Sequence, residues 1–236
     1  NINGVGIKEV PLTSDFQLNT AKILAAVDPN TKAIFFCSPN NPSGNLFKTS
    51  DITALLNGFD GLVVIDEAYI DFTDGPSWLS QLDNYPNLVV TQTLSKAFGL
   101  AGLRLGIAIA QPNVIKLLHN IKPPYNINTL SQQQAIEVLS DIEKVNKQIA
   151  ELLAERSRVA AYLNELDWVK TVFPSDANFL LMRVDDANKR YDALLAQKVV
   201  VRNRSTQTNC ENTLRISIGT PDENNELMEA CNTISL

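Results

Sequence analysis

The feature that most constrains the fold is a set of short apolar runs, each of which ends in polar residues. Three such runs are rich in β-branched or aromatic side chains, which favour strands: Ala33–Cys37, Leu62–Ile65 and Leu88–Leu94. Strands buried on both faces of a parallel sheet have this near-continuous apolar character. Because open α/β sheets bind ligands at the carboxyl ends of their strands, the polar residues after these runs are candidate site residues.

Two further strands are predicted at Ile7–Val10 and Leu103–Ile109, and helical stretches separate the runs. This alternation predicts an α/β fold with a mostly parallel sheet and flanking helices. From Ser140 to Leu166, apolar residues recur on one face of a long helix.

Beyond that helix the pattern changes. The predicted elements are strands at Val169–Phe173, Phe179–Val184 and Leu214–Ile218 and a helix near Asn188–Gln197. A last helix starts at Thr220, with Pro221 in its first turn and Glu223 completing a capping box. The sequence therefore predicts a small α+β domain in 167–236, a linking helix in 140–166 and a large domain in 1–139.

The segment TLSKAFGLAGLRLG, residues 93–106, places Lys96 just after a strand and Arg104 eight residues later. A lysine can bond covalently to an aldehyde if burial or a cationic neighbour lowers its pKa, and an arginine can grip a phosphate. Pyridoxal phosphate needs both groups. The alternative is a solvated loop lysine with an unrelated arginine.

Two other segments bear on this choice. In LVVIDEAYIDF, Asp66 could hold a proton on a pyridine nitrogen, and Tyr69 could donate to a ring oxygen. Each also has a plain alternative, a capping aspartate and a core tyrosine. In AIFFCSPNNPSG, prolines hold Asn40 and Asn41 extended, with their amides available to a ligand, although such loops are often only turns.

The three segments in this order resemble fold-type I pyridoxal-phosphate aminotransferases, with NNPSG, DEAY and SKAFGLAGLRLG matching the cofactor blocks of that family. The resemblance implies that Lys96 forms the covalent imine with pyridoxal 5′-phosphate and that Asp66 partners the pyridine nitrogen. It also makes Asn41 and Tyr69 donors to the ring oxygen. The phosphate ligands that it implies are Thr93, Ser95 and Arg104.

The segments KPPYNIN, VVVRNR and TLRISIGTPDEN are similar to those of histidinol-phosphate aminotransferases. In that subfamily two arginines thirteen residues apart bind the anionic end of the substrate, and Arg202 and Arg215 have this spacing. Apolar neighbours would bury Arg215, and a buried guanidinium needs an anion or a carboxylate. A structural salt bridge is therefore the alternative.

The resemblance implies amino transfer between histidinol phosphate, or a similar phosphorylated amino alcohol, and 2-oxoglutarate, with imidazole acetol phosphate and glutamate as products, in a cytoplasmic homodimer of histidine biosynthesis. Three other interpretations remain open: a phosphate-substrate decarboxylase of the same fold, a ligand-sensing domain of a regulator and a catalytically inert fragment. The sensing domain would need a DNA-binding module, which this sequence lacks.

Composition argues against several classes of function. A net charge of −6 argues against nucleic-acid binding. We expect no membrane span, because no apolar stretch is long enough, and no metal site, because Cys37, Cys210 and Cys231 lack metal or redox spacing. His119 lies in an apparent helix and is expected to be an ordinary packing or surface residue.

Compared with the family it resembles, the chain starts late and lacks an initiator methionine. We therefore expect a carboxyl-terminal fragment whose large domain is incomplete on its amino-terminal side and which is catalytically silent alone.

Overall fold

The computed structural model describes residues 4–234 of the 236-residue chain. Its first sheet has four strands in the order β1-β2-β3-β4. Their bounds are Ala33–Cys37 for β1, Leu62–Asp66 for β2, Leu88–Thr93 for β3 and Gly106–Ala110 for β4. The first three strands pair in parallel, and β4 joins β3 antiparallel. The predicted mostly parallel sheet is therefore confirmed.

Two helices pack beside this sheet, α1 (Thr20–Ala26) and α2 (Thr49–Gly58). From α2, Ile52 and Leu55 are fully buried against Val63 and Ile65 of β2. These strand residues have β-branched side chains, which pack well on a pleated surface from which water is excluded. The packing fixes β2 in the middle of the sheet.

The second sheet is antiparallel, in the order β5-β6-β8-β7. Its strands are β5 (Val169–Val172), β6 (Phe179–Val184), β7 (Arg202–Asn203) and β8 (Thr213–Ser217). One face packs Leu180, Met182, Leu214 and Ile216 into a core that includes Val159 from a long helix. The opposite face carries Phe179, Leu181 and Arg215, since side chains alternate along a strand.

The remaining helices of the described range lie after β4. They are α3 (Pro112–Ile121), α4 (Thr129–Leu139), α5 (Ile142–Leu163), α6 (Ala187–Ala196) and α7 (Pro221–Thr233), with short 3-10 turns at Ile70–Phe72, Trp78–Gln81 and Ala101–Leu103. Thr220 and Glu223 form the predicted capping box of α7. Within the described range, no helix combines the length and apolarity needed to cross a bilayer.

Two strand predictions were wrong in part. Residues Ile7–Val10 form no strand, and Ile7 is 74% exposed. The segment beginning at Leu103 becomes strand only at Gly106, because Gly99 and Arg104 have positive φ and reverse the chain after β3. The reversal also makes β4 antiparallel. The division into 1–139, 140–166 and 167–236 stays a prediction.

Arg156 on α5 forms hydrogen bonds to a segment next to each of the two sheets. Its Nη1 donates to the carbonyl oxygens of Phe72 at 3.2 Å and Ala177 at 2.8 Å. Phe72 follows β2 by six residues, and Ala177 precedes β6 by two. Burial lowers the pKa of this guanidinium, while Asp176 and Asp74 oppose that effect. Arg156 therefore fixes how the loop after β2 lies against β6.

Replacing Arg156 with Met should lower the free energy of unfolding by about 2 kcal/mol, because the carbonyls of two buried residues lose their donor. Urea unfolding followed by circular dichroism measures this. The matched control is Arg158→Met, which removes a surface pair with Glu155 at 2.6 Å. An exposed pair of this kind contributes little to stability, so equal losses in the two variants would contradict the prediction.

Candidate active site

The site lies where the parallel strands end. Register pairs Cys37 of β1 with Asp66 of β2, and Asp66 with Thr91 of β3. The segments that follow these strands therefore leave the sheet at one edge. They are the Asn-Pro loop (residues 38–46), the segment 66–72 and the segment 93–105. All cofactor-binding residues predicted from the sequence lie on these three segments.

Asp66 is half-buried at this edge. Its Oδ1 accepts a hydrogen bond from the backbone N–H of Ala68 at 3.0 Å, and Cys37 Sγ lies 3.7 Å from its Oδ2. Burial, and then the charge of Asp66, raise the pKa of Cys37 to about 11. The thiol therefore stays protonated and is a weak donor. Tyr69, not Asp66, occupies the N-cap position of the next 3-10 turn.

The adjacent acid, Glu67, is buried in a different environment. Its carboxylate accepts from Ser77 Oγ at 2.6 Å, Trp78 N at 2.7 Å and Gln92 Nε2 at 2.9 Å. Three donors satisfy it within the fold. Glu67 thus anchors the strand end, which leaves Asp66 at the open edge.

Lys96 and Tyr69 lie together at this edge. Tyr69 is buried, and its ring meets Phe179 edge-on with centroids 5.1 Å apart. Lys96 is exposed, and its Nζ lies 5.3 Å from the centroid of the Tyr69 ring, within range of a cation–π contact. Tyr69 is thus both a core residue and the surface over which the lysine lies.

Thr93 and Ser95 form a hydroxyl pair. Thr93 Oγ1 lies 2.8 Å from Ser95 Oγ and accepts from Ser95 N at 3.1 Å. Arg104 is exposed and donates to Ala101 O at 3.0 Å in its own turn. In the part of the chain that the structure describes, no hydrogen bond joins Arg104 to the hydroxyl pair.

Asn41 and Arg215 meet although 174 residues separate them: Arg215 Nη1 donates to Asn41 Oδ1 at 2.8 Å. The guanidinium carbon lies 4.8 Å from the Phe179 ring centroid. Arg202 is exposed and pairs with Arg215 across β7 and β8. No carboxylate within residues 4–234 forms an ion pair with Arg215, so the alternative of a salt bridge inside that range is not observed.

Burial and neighbouring charges together lower the pKa of the Arg215 guanidinium. Burial is the largest cause that lowers its pKa, and the charges of Arg204 and Arg202 lower it further, while Tyr69 opposes them. Two like charges and a dry environment destabilise this cation. An anion bound beside it would relieve both effects.

Sequence reasoning missed three contributors to this geometry. Phe179 contacts both Tyr69 and Arg215, and nothing in the sequence of its own strand indicates these contacts. Cys37 contacts Asp66 through strand register. Gly44, visible in NNPSG, has φ +82°, and its carbonyl accepts from Asp176 N at 2.7 Å. In return Asp176 Oδ2 accepts from Leu46 N at 2.8 Å, which fastens the Asn-Pro loop to the second sheet.

The chain belongs to the aminotransferase class I and II family, whose sequence profile matches residues 1–231. A curated relative, the histidinol-phosphate aminotransferase of Flavobacterium johnsoniae, is 56% identical over 224 residues. That alignment covers 95% of this chain and 64% of the relative, so the chain spans less than two thirds of that protein. The resemblance predicted from the three blocks is therefore confirmed.

Solved structures agree on the fold. The histidinol-phosphate aminotransferase of Clostridium acetobutylicum superposes with a TM-score of 0.88 at 26% identity, covering 95% of this chain and 70% of the other. The enzyme from Sinorhizobium meliloti, solved in complex with pyridoxal-5′-phosphate, gives 0.84 at 23% identity, covering 95% and 64%. At that identity the second likeness shows the fold alone.

Gly44→Ala should destabilise the protein by about 1–3 kcal/mol, because a non-glycine residue is strained at a positive φ. The new Cβ would also collide with Ser175 Oγ and lie 2.9 Å from Ser175 Cβ. Thermal unfolding measures the loss. Gly6→Ala is the control, since nothing lies within 4 Å of its added Cβ. Equal melting temperatures for the two variants would show that the Asn-Pro loop is not held as described.

Proposed function

We propose that the protein is a pyridoxal-phosphate-dependent aminotransferase that moves an amino group between histidinol phosphate, or a similar phosphorylated amino alcohol, and 2-oxoglutarate, in histidine biosynthesis. The observation that carries the proposal is the meeting of Lys96 with Tyr69 at the strand edge that also presents Asp66. Family membership and the names of the relatives support the same reaction.

The donor set fits this cofactor. An exposed lysine amine, a half-buried carboxylate with one oxygen facing a neutral thiol, and a paired serine and threonine lie on neighbouring loops. A carboxylate at that depth suits a protonated ring nitrogen, and hydroxyls with an arginine suit a phosphate. When bound, pyridoxal phosphate supplies an electron sink that weakens a bond at the substrate carbon next to the amine.

Each residue has a defined task in the proposal. Lys96 would hold the cofactor through its side-chain amine, and that amine would act as the general base that moves a proton at the substrate carbon. Asp66 would keep the ring nitrogen protonated. Asn41 and Tyr69 would donate to the ring oxygen, and Thr93, Ser95 and Arg104 would hold the phosphate.

Arg202 and Arg215 are proposed to hold the anionic end of each substrate. Arg215 is already oriented by Asn41 and by the face of Phe179, so its donor fork loses little freedom when an anion binds. The absence of an ion-pair partner for Arg215 among residues 4–234 supports this role.

The proposal includes a homodimer. Helices α3 and α4 expose several large apolar side chains: Leu117 at 65%, Ile121 at 80%, Leu130 at 77% and Ile136 at 68%. Large apolar side chains exposed on two consecutive helices are consistent with a protein interaction surface.

The deciding assay incubates the full-length protein with pyridoxal phosphate, histidinol phosphate and 2-oxoglutarate and identifies the products by mass spectrometry. We expect glutamate and imidazole acetol phosphate. Because histidinol phosphate has no carboxyl group to lose, a parallel incubation with a phosphorylated amino acid tests the alternative. Release of carbon dioxide there, with no amino transfer in the first incubation, would identify a decarboxylase instead. Borohydride treatment of the same sample should leave the cofactor mass on the peptide that contains Lys96.

Lys96→Ala should abolish transamination and the borohydride-fixed mass while leaving the circular dichroism spectrum unchanged. Lys170→Ala, which removes an exposed lysine from β5, is the control and should behave as wild type. Residual turnover within about tenfold of wild type, a loss of only about 1.4 kcal/mol of transition-state stabilisation, would remove Lys96 from its role.

Asp66→Asn should lower kcat about a hundredfold, since the amide keeps the shape but loses a charge-assisted hydrogen bond of about 2–3 kcal/mol. Cofactor affinity, measured by absorbance titration, should fall less. Asp60→Asn is the matched control, because Asp60 is exposed and precedes the opposite end of the same strand. A wild-type rate in Asp66→Asn would assign Asp66 a purely structural part.

A further inference from the structure

A third arginine, Arg204, directly follows β7 and lies beside the two already described. Arg202 pairs with Arg215, and two residues on, the backbone N–H of Arg204 donates to Thr213 O at 2.9 Å, which continues the ladder. Residues two apart on an extended strand project to the same side. Arg204 therefore lies on the face of the sheet that carries Arg202 and Arg215.

Polar atoms on this segment are buried without a partner. The Nε atoms of Arg204 and Arg215 are both inaccessible, and neither has a hydrogen-bond acceptor within residues 4–234. The Oγ of Ser205 is also buried and has no hydrogen-bond partner within the same residues. Buried polar groups are almost always satisfied in native proteins, so three such groups without a partner, one on β8 and two in the residues just after β7, indicate that a ligand with acceptor atoms binds there.

The charge on this face is also uncompensated. Arg204 is half-buried, and no carboxylate of the described residues pairs with Arg202, Arg204 or Arg215. By contrast, Arg190 on α6 is buried but forms an ion pair with Asp185 at 2.8 Å. A guanidinium cluster with buried nitrogens and no counter-ion is stabilised when an anion enters.

We propose that Arg204 is a third residue of the substrate anion site and that it suits this site to a phosphate monoester dianion over a carboxylate. The inference rests on the proposed function. A phosphate carries close to two charges at neutral pH and has three terminal oxygens, whereas a carboxylate has one charge and two oxygens. Three guanidinium groups match the charge and the three oxygens of the phosphate, whereas two are enough for a carboxylate.

The test is the selectivity of Arg204→Gln in the full-length holoenzyme. The ratio of kcat/KM for histidinol phosphate to kcat/KM for glutamate, each from single half-reactions, should fall by about tenfold or more. The inhibition constant of inorganic phosphate should rise in parallel. Arg204→Lys, which restores the charge without the fork, should recover part of both effects.

Arg183→Gln is the matched control. Arg183 lies on the same face of the same sheet, but its guanidinium donates to Asn209 O at 2.9 Å and Glu211 O at 3.2 Å and packs over Phe173. We expect Arg183→Gln to be less stable than wild type but to have the wild-type ratio of kcat/KM for histidinol phosphate to kcat/KM for glutamate.

An unchanged ratio and an unchanged phosphate inhibition constant in Arg204→Gln would overturn the inference. So would an equal fall for both substrates, which indicates a structural role. If the wild-type protein itself fails to transaminate histidinol phosphate, the proposed function is wrong, and that failure is visible before any variant is measured.

Discussion

Parallel pairing of β1, β2 and β3 is the constraint on which the rest of this structure depends. Register places Cys37, Asp66 and Thr91 in one line across the sheet. Every polar group that follows these strands then emerges at one edge, without any requirement for long-range polar contacts. Glu67 fixes the position of Asp66 at that edge, because the three hydrogen bonds of its buried carboxylate hold the adjoining backbone in place.

The second sheet depends on the first through a small number of contacts. Tyr69 meets Phe179 edge-on, and the guanidinium of Arg215 also lies over the Phe179 ring. Arg156 and the Gly44–Asp176 hydrogen bonds hold the same two regions from the flanks. The Lys96–Tyr69 pair and Arg215 therefore meet at the ring of Phe179. A shift of one sheet relative to the other would displace both.

Much of this fold could be predicted because its signals are local. The strand Phe179–Val184 was predicted with its observed bounds, and the capping box of α7 is encoded within four residues. Helix α4 was not predicted, since TLSQQQAIEVL has no clear apolar face and starts from a single Asn128 cap. The strand expected at Ile7–Val10 had the right composition but has no neighbouring strand to pair with in the described range.

The sequence indicated the residues of the candidate site one by one, but it did not indicate their arrangement. Motifs indicated Lys96, Asp66 and Asn41, yet the bond from Arg215 to Asn41 spans 174 residues and is set by tertiary packing. The same holds for Phe179, which reads as an ordinary core residue in the sequence. Arg204 was visible in VVVRNR, but only the burial of its Nε distinguishes it from a surface arginine.

The uncompensated guanidiniums of β7 and β8 have a practical consequence for biophysical work on this protein. An anion that binds the folded chain and not the unfolded one raises its apparent stability by mass action. At the proposed anion site, phosphate or sulfate from the buffer would supply the counter-charge that Arg204 and Arg215 lack within the described residues. Melting temperatures taken in different buffers should be compared at matched anion content.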